Sequence, residues 1–381
     1  MTGVYLDYNA TAPIRPEALA AATEAMRLGG NPSSVHGTGR AAHALVEAAR
    51  EQVAAVIGGP ASTVVFTSGG TEANALAVDS AVTAGSRRLL IGATEHDCVR
   101  ATADASAAIV ESWPVDANGV ADLDWLEARL QAWSPADGRP FAALMLANNE
   151  TGVIQPVAEA AALLRAADGW LHVDAVQAAG KLVIDSRALG ADTLAIASHK
   201  LGGPQGSGAL TFGPRAVLSR RLHGGGQERG RRGGTENLAG IAGFGAAAQA
   251  ALRDLPKVET QTAWRDAAAG RLIAEAGVTV FGEGAPRLAG TLCFGAPGFS
   301  SELQVMALDL AGVMVSAGSA CSSGKVKPSH VLLAMGAGAL AGCAIRVSGG
   351  WATTAADWEQ FADIWLVALA RQQSRRRVSA A

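Results

Sequence analysis

Residues 171–200 read LHVDAVQAAGKLVIDSRALGADTLAIASHK, and this stretch decides the fold. It opens with the apolar run 171–173 and ends with a second run, Thr193–Ala197. Neither run alternates apolar with polar residues, which is typical of strands covered on both faces of a sheet. Polar residues follow both runs at once: Asp174 follows the first run, and residues 198–200, Ser-His-Lys, follow the second.

Similar short runs alternate with helical patterns from about residue 60 to residue 215. Further strands are predicted at 64–67, 89–92, 143–147 and 209–212. Helices are predicted at 39–57, 72–81, 123–131 and 157–166, the third with Asp122 as its N-cap. This alternation predicts an α/β fold built on an open, mainly parallel central sheet.

The pattern changes after Arg221. A loop rich in glycine and arginine, 223–234, precedes helices predicted at 238–252 and 262–276. Strands at 291–294, 313–316 and 344–348 follow, with a helix at 302–311 that opens on a Ser301…Gln304 capping box. We expect a large domain at 15–255. Residues 1–14 plus 256–381 should form a smaller α+β domain that carries Cys321 and Arg346.

Composition excludes several classes of protein. Of 381 residues, 49% are hydrophobic and 17% charged, which is too apolar for a disordered chain and enough for more than one core. The 31 Lys and Arg nearly balance 34 Asp and Glu, so the net charge of −3 offers no field for nucleic acid or an anionic membrane. Lysine occurs only five times, which leaves few candidates for amine chemistry.

The N-terminal residues carry no basic region followed by an apolar run, so no targeting signal is predicted. The longest uncharged apolar run, 331–345, is shorter than the roughly 20 residues that a membrane span needs. The four cysteines show neither the paired spacing of a disulfide framework nor that of a metal site: Cys98, Cys293, Cys321 and Cys343. We expect a cytoplasmic protein with reduced thiols and no metal.

Three predicted strand ends carry polar residues that should open onto one pocket, because ligands bind at the carboxyl ends of such strands. The first end reads SGGTE at 68–72, the second has Asp174 and then Gln177, and the third is 198–200. Gly69, Gly70 and Thr71 can offer N–H groups and a hydroxyl to an anion at a helix N-terminus. A tight turn without a ligand is the alternative interpretation.

A site for pyridoxal 5'-phosphate (PLP) requires three groups: a lysine, an acid and a turn that binds the phosphate. Lys200 would form the Schiff base, Asp174 would keep the pyridinium nitrogen protonated, and Gly70 with Thr71 would anchor the phosphate. Alone, Asp174 could be a helix N-cap and Lys200 a solvated loop residue. Their position at adjacent strand ends favours a PLP site.

Several motifs together resemble the cysteine desulfurases of the NifS/IscS type, which belong to the class V aminotransferases of fold-type I. The resemblance runs nearly from end to end. Its motifs are YLDYNAT at 5–11, NNETG at 148–152, HVDAVQ at 172–177, SHK at 198–200, GGGQERG at 224–230, GGT at 233–235, GSACSS at 318–323 and IR at 345–346.

The resemblance implies a role for each matching residue. Lys200 would bind PLP and move the Cα proton of cysteine, and His96 would stack on the ring and assist proton transfer at the substrate thiol. Asp174 would pair with the ring nitrogen and Gln177 with its phenolic oxygen. The remaining residues would bind the two anionic groups. The phosphate would be bound by Thr71, Ser198, His199 and the partner subunit's Thr235, and the substrate carboxylate by Asn149 and Arg346.

The resemblance makes Cys321 the residue that accepts sulfur as a persulfide while L-alanine leaves. Its small, polar neighbours predict an exposed loop, whereas apolar runs around Cys293 and Cys343 favour buried thiols. Cys98 also fits a structural thiol. The resemblance implies a homodimer that acts on L-cysteine and delivers sulfur to an acceptor. We expect this acceptor to be an iron–sulfur scaffold protein.

The sequence departs from the family pattern at several positions. Ala197 stands where many members carry a phosphate-binding serine, so Ser198 would have to act from another angle. Ala12 and Ala317 replace a common Thr and Ser, and the tail after Trp365 lacks the segment that docks a scaffold in some members. A selenocysteine lyase, another class V enzyme or a sulfur-relay protein without catalysis remain alternatives.

Overall fold

The structure is a computed structural model that describes residues 3–318 and 328–380, with side chains through residue 376. Cys321 therefore lies outside the described residues. The strands are β1 (Val4–Tyr5), β2 (Val64–Thr67), β3 (Arg88–Gly92), β4 (Ile109–Trp113), β5 (Phe141–Ala143), β6 (Trp170–Asp174), β7 (Thr193–Ala197), β8 (Gly208–Phe212), β9 (Thr279–Val280), β10 (Thr291–Gly295), β11 (Val313–Met314), β12 (Ser316–Ala317) and β13 (Ala344–Ser348).

The α-helices alternate with the strands of the first half and then become longer. They are α1 (Pro16–Leu28), α2 (Gly37–Val56), α3 (Gly70–Thr83), α4 (Asp97–Asp104), α5 (Leu123–Gln131), α6 (Val157–Ala166), α7 (Ser186–Leu189), α8 (Leu238–Ala276), α9 (Ser301–Leu310), α10 (His330–Ala334) and α11 (Ala355–Ala380). Asp122 caps α5 as predicted, because its carboxylate accepts a hydrogen bond from the N–H of Trp125 at 2.9 Å.

The central sheet has seven strands in the order β2-β8-β7-β6-β5-β3-β4. Strands β7, β6, β5, β3 and β4 are parallel, and β8 lies antiparallel between β2 and β7. The predicted mainly parallel sheet is confirmed. Edge strand β4 was not predicted, because its sequence IVESW mixes polar and apolar residues. Strand β5 ends at Ala143 rather than at 147.

Side chains from both faces of the sheet are buried, as the uninterrupted apolar runs predicted. Leu171 and Val173 of β6 join a core with α2 and α8, whereas Trp170 of the same strand joins a second core with Val78 of α3. Neighbouring residues of a strand point to opposite faces. His172 and Asp174 therefore share the α3 face with Trp170.

Helix α8 is one continuous helix of 39 residues, so the prediction of two helices at 238–252 and 262–276 is wrong. Pro256 lies inside it and removes one backbone donor. Buried Leu255 and Val258 flank the proline, and their packing offsets the lost hydrogen bond. The predicted domain boundary at residue 255 falls within this helix, and the division into two domains stays a prediction.

A four-stranded antiparallel sheet, in the order β12-β13-β10-β9, organises the C-terminal part. Its core contains Phe294 of β10 and Trp365 of α11, whose rings meet edge to face at 5.1 Å. The N-cap of α9 is Ser300, not Ser301, so the predicted capping box is wrong. Gln304 is buried and donates instead to the carbonyls of Phe299 and Cys343.

The apolar run 331–345 folds into α10, a 3₁₀ turn and the start of β13, with Val331 and Ile345 buried. Among the helices that the structure describes, none is both long and apolar enough to cross a bilayer.

Candidate active site

A cavity of about 260 Å³ lies at the carboxyl ends of β6 and β7, beside the N-terminus of α3. This is the edge of the sheet at which the sequence predicted a shared pocket. Eight residues predicted for the site line it: Gly70, Thr71, His96, Asn149, Asp174, Gln177, His199 and Lys200.

The turn that opens α3 forms one wall of the cavity and suits an anion. Gly70 and Thr71 line this cavity and also a second, open one of about 510 Å³. The first N–H groups of a helix have no partner within it and carry partial positive charge. A Cβ on Gly70 would lie 2.8 Å from Cγ2 of Val176, so a glycine keeps this wall open.

Lys200 follows β7 in a short 3₁₀ turn and extends into the cavity. Its Nζ donates to the backbone carbonyls of Asn9, at 2.6 Å, and Ala10, at 2.8 Å. The N-terminal segment therefore holds the amine in the cavity that Asp174 also lines. The spatial convergence of lysine, aspartate and glycine turn agrees with the prediction from the strand ends.

Asp174 ends β6 and is 6% exposed. Its Oδ1 accepts from the N–H of Val176 at 2.9 Å, and its Oδ2 accepts from the side-chain amide of Asn74 at 2.8 Å. Burial raises the pKa of Asp174, and these two hydrogen bonds, with His96 and Lys200 nearby, oppose the rise. Each contact favours the ionised form that a cationic ring nitrogen would need.

A chain of hydrogen bonds behind Asp174 fixes the direction of every donor. Trp170 Nε1 donates to Oγ1 of Thr193 at 3.1 Å, and this hydroxyl lies 3.0 Å from Nδ1 of His172. Nε2 of His172 lies 2.8 Å from Oδ1 of Asn74. Because the Asn74 amide nitrogen faces Asp174, its oxygen must accept, so His172 carries its proton on Nε2. Burial lowers the pKa of His172 to about 3, which keeps the ring neutral.

Two histidines from distant parts of the sequence, His96 and His199, line the cavity. His96 is the N-cap of α4 and lines the cavity, and its Nδ1 accepts from the N–H of Cys98 at 3.1 Å. Nδ1 of His199 lies 3.1 Å from the hydroxyl of Thr11. Burial, with Lys200 and Lys181 nearby, lowers the pKa of His199 to about 4.

Glu95 is buried immediately before His96. The N–H of Met145 donates to its Oε1, while Oε2 finds no partner within the described part of the chain. Burial and the nearby Asp174 raise the pKa of Glu95 to about 8. Apart from its place beside His96, no pattern in the sequence points to this acid.

The two residues predicted for the substrate carboxylate lie together. Arg346 is 4% exposed; it pairs with Asp7 at 2.7 Å and donates to the carbonyl of Asn149 at 3.2 Å. Asn149 lines the cavity, and its Oδ1 is buried without a partner among the described residues. Arg346 itself lies behind Asn149 rather than in the cavity wall.

Two predicted phosphate residues lie elsewhere. Ser198 is fully buried, and its hydroxyl faces Gly203 rather than the cavity, which Ala197 lines instead. This corrects the expectation that Ser198 takes over from the missing serine, because adjacent residues point to opposite sides of the chain. Thr235 is exposed in a neighbouring cavity with Ser68 and Arg232.

The sequence reasoning missed three polar residues that organise the site: Asn9, Asn74 and His172. Asn74 lies one helical turn after Gly70 and Thr71, and His172 lies two residues before Asp174 on its strand. Such spacings place side chains on one face of a helix or strand, so both signals were present. The place of Asn9 depends on a contact between distant segments.

The cavity fits PLP. It offers an amine, a buried carboxylate that is held by two donors, and a glycine turn that a Cβ would obstruct. The fold and this site together define a PLP-dependent enzyme of fold-type I, and comparison with known proteins agrees.

The family model described as aminotransferase class-V matches residues 4–361. A cysteine desulfurase from Cereibacter sphaeroides is 41% identical over 96% of this chain and 95% of its own length. A cysteine desulfurase IscS from Dictyoglomus turgidum is 36% identical over 95% and 93%. A solved NifS-like protein from Rickettsia africae has a TM-score of 0.89 and 30% identity, covering 97% of this chain and 99% of that one.

The chain belongs to the aminotransferase class-V family and, within it, to the cysteine desulfurases. Members of this family depend on PLP, which accounts for the amine, the acid and the cradle.

Proposed function

We propose that the chain removes sulfur from L-cysteine and gives L-alanine and a persulfide on Cys321. The observation that carries this proposal is the convergence of Lys200, Asp174 and the Gly70 turn on one cavity, in a chain related to cysteine desulfurases. When bound, PLP supplies an electron sink for negative charge at the substrate α-carbon.

The chain's own residues would then divide the work. Lys200 would hold the cofactor through its amine and would move the proton at the substrate Cα. Asp174 would stabilise positive charge at the ring nitrogen, and Gln177 would donate to the phenolic oxygen. The N–H groups around Gly70 and Thr71, joined by His199, bind the phosphate.

Asn149 and Arg346 would bind the substrate carboxylate. The Asn149 amide oxygen has no partner in the described chain, so the amide can turn its nitrogen towards an anion. Arg346 is oriented by Asp7 and lies against the Asn149 backbone, from which it contributes positive charge. His96 would move the proton of the substrate thiol.

The sulfur step balances without an external oxidant or reductant. The Cys321 thiolate attacks the substrate sulfur, an S–S bond forms and the substrate Cβ–S bond breaks. The carbon keeps the electron pair and takes a proton, which gives L-alanine. The transferred sulfur remains on Cys321 until an acceptor removes it.

We further propose a cytoplasmic homodimer in which Thr235 serves the partner's phosphate site, because Thr235 is exposed and lies outside the cavity of its own chain. An iron–sulfur scaffold is the proposed sulfur acceptor, since one relative is a cysteine desulfurase IscS. Residues 15–255, and 1–14 with 256–381, would form the two domains; their largest hydrophobic cores are separate clusters.

Mass spectrometry of the holoenzyme after incubation with L-cysteine tests the proposal. We expect one added sulfur on Cys321 and a matching amount of alanine. Cys321→Ser should lose both, whereas Cys343→Ser should retain both. Sulfur found on another cysteine, or full alanine formation by Cys321→Ser, would refute the assignment. Faster turnover of selenocysteine than of cysteine would assign the alternative substrate.

A further inference from the structure

A second lysine lies beside the proposed site. Lys181 follows a tight turn after β6, and its side chain reaches back towards the N-terminal segment. Its Nζ donates to Oδ1 of Asn9 at 2.7 Å and to Oε1 of Gln177 at 2.9 Å. Both partners are amide oxygens rather than carboxylates, which is unusual for a half-buried lysine.

The surroundings of Lys181 oppose its positive charge. Burial, together with the charges of Lys200 and Arg346, lowers its pKa well below the ordinary value. An apolar residue would avoid this cost, so an amine needs a reason at this position. Either protonation state supplies the two N–H groups that the two amide oxygens receive.

The amide orientations supply such a reason. The Gln177 nitrogen donates to the carbonyl of Asn9 at 2.9 Å, so its oxygen faces Lys181. A reversed amide would place oxygen against the Asn9 carbonyl and nitrogen against the Lys181 amine. The Asn9 amide is fixed in the same way, because its nitrogen donates to the Asn149 carbonyl and to Thr291, each at 3.1 Å.

We propose that Lys181 is a positioning residue that fixes the Gln177 amide with its nitrogen available to the phenolic oxygen of PLP. This inference rests on the proposed function, since it needs PLP in the cavity that Gln177 lines. Lys181 does not touch that cavity wall itself and acts through Gln177 and Asn9.

The test compares PLP binding in Lys181→Met, Gln177→Leu and the double variant, by titrating each apo-protein with PLP and recording the visible band of the bound cofactor. We expect each single variant to raise the dissociation constant about tenfold, because each removes the contribution of one buried hydrogen bond. The double variant should bind no worse than Gln177→Leu, and its band should match that of Gln177→Leu. Lys257→Met, which removes an exposed lysine, is the control.

Additive losses in the double variant, or wild-type binding by Lys181→Met, would overturn the inference. If Lys181→Met does not fold, Lys181→Gln replaces it, since its amide can still donate to one oxygen. A rise of about threefold that disappears in the Gln177→Leu background supports the inference, and any other result overturns it. Failure of wild type and Lys257→Met to bind PLP would instead refute the proposed function.

Discussion

Asn74→Leu tests the hydrogen-bond chain behind Asp174. The substitution keeps the side chain's approximate volume but removes the donor 2.8 Å from Asp174 and the acceptor 2.8 Å from His172. Asp174 would keep only the Val176 N–H among the two hydrogen bonds described for its carboxylate. The buried Nε2–H of His172 would lose its acceptor.

The size of the expected effect follows from the negative charge of the Asp174 carboxylate, which accepts the hydrogen bond from Asn74. A hydrogen bond to a buried carboxylate contributes about 1.5–3 kcal/mol to its ionised form. Its loss should raise the pKa of Asp174 further, because the Asn74 hydrogen bond favours the ionised carboxylate. PLP needs the ionised form. Where the pH is low enough that Asp174 must lose a proton when PLP binds, the dissociation constant should rise about 10- to 100-fold, and the difference from wild type should shrink as the pH rises. As the pH falls, the variant should lose PLP at a higher pH than the wild type.

The assay is a PLP titration of apo-protein between pH 5 and pH 9, with Ser80→Ala as the control. Ser80 is buried on the same helix and accepts one hydrogen bond, from the N–H of Ser219, away from the cavity. The control should lose stability but bind PLP with the wild-type pH profile. Wild-type affinity and an unchanged profile in Asn74→Leu would refute the role of the chain.

Three further substitutions test other parts of the structure. Gly70→Ala should weaken PLP binding at least tenfold because its Cβ would meet Val176, whereas Gly270→Ala, where space is open, should not; equal affinities in a PLP titration would contradict this. Arg50→Met leaves Glu228 buried without its 2.7 Å partner and should cost about 3–5 kcal/mol in urea unfolding; a loss below about 1 kcal/mol would be inconsistent with that pair. Burial raises the pKa of Glu95 to about 8 from 4.5, so the folded state binds more protons between these values and stability falls as pH rises through that window. Glu95→Gln should remove this contribution, of at most about 1.4 kcal/mol per pH unit, and identical pH–stability curves would contradict the assignment.

The sequence predicts best those elements whose ends are marked by polar residues or glycine. Strands β2, β7 and β13 match their predicted limits. Polar residues lie on both sides of β2 and β7, and Gly349 follows β13, although β13 itself contains Arg346. The prediction left residues 253–261, which include Pro256, between two helices, yet packing on both sides of the proline keeps α8 continuous. Local propensity does not contain that tertiary contribution.

The residues of the site likewise include some that local sequence patterns predict and others that depend on contacts between distant segments. Asp174 and Lys200 could be placed from strand ends alone, because parallel strands present their carboxyl ends at one edge. The orientation of Ser198 away from the cavity depends on the phase of the chain after β7, which the motif does not specify. The contacts of Asn9 with Lys200, Lys181 and Gln177 join segments that are more than 160 residues apart, beyond the reach of local patterns.

Borohydride reduction of the holoenzyme, followed by peptide mapping of the cofactor-bearing lysine, tests the central claim most directly. The account predicts that the cofactor is attached to Lys200, which shares its cavity with Asp174 and the Gly70 turn. Attachment to Lys181, to Lys257 or to no lysine would contradict it.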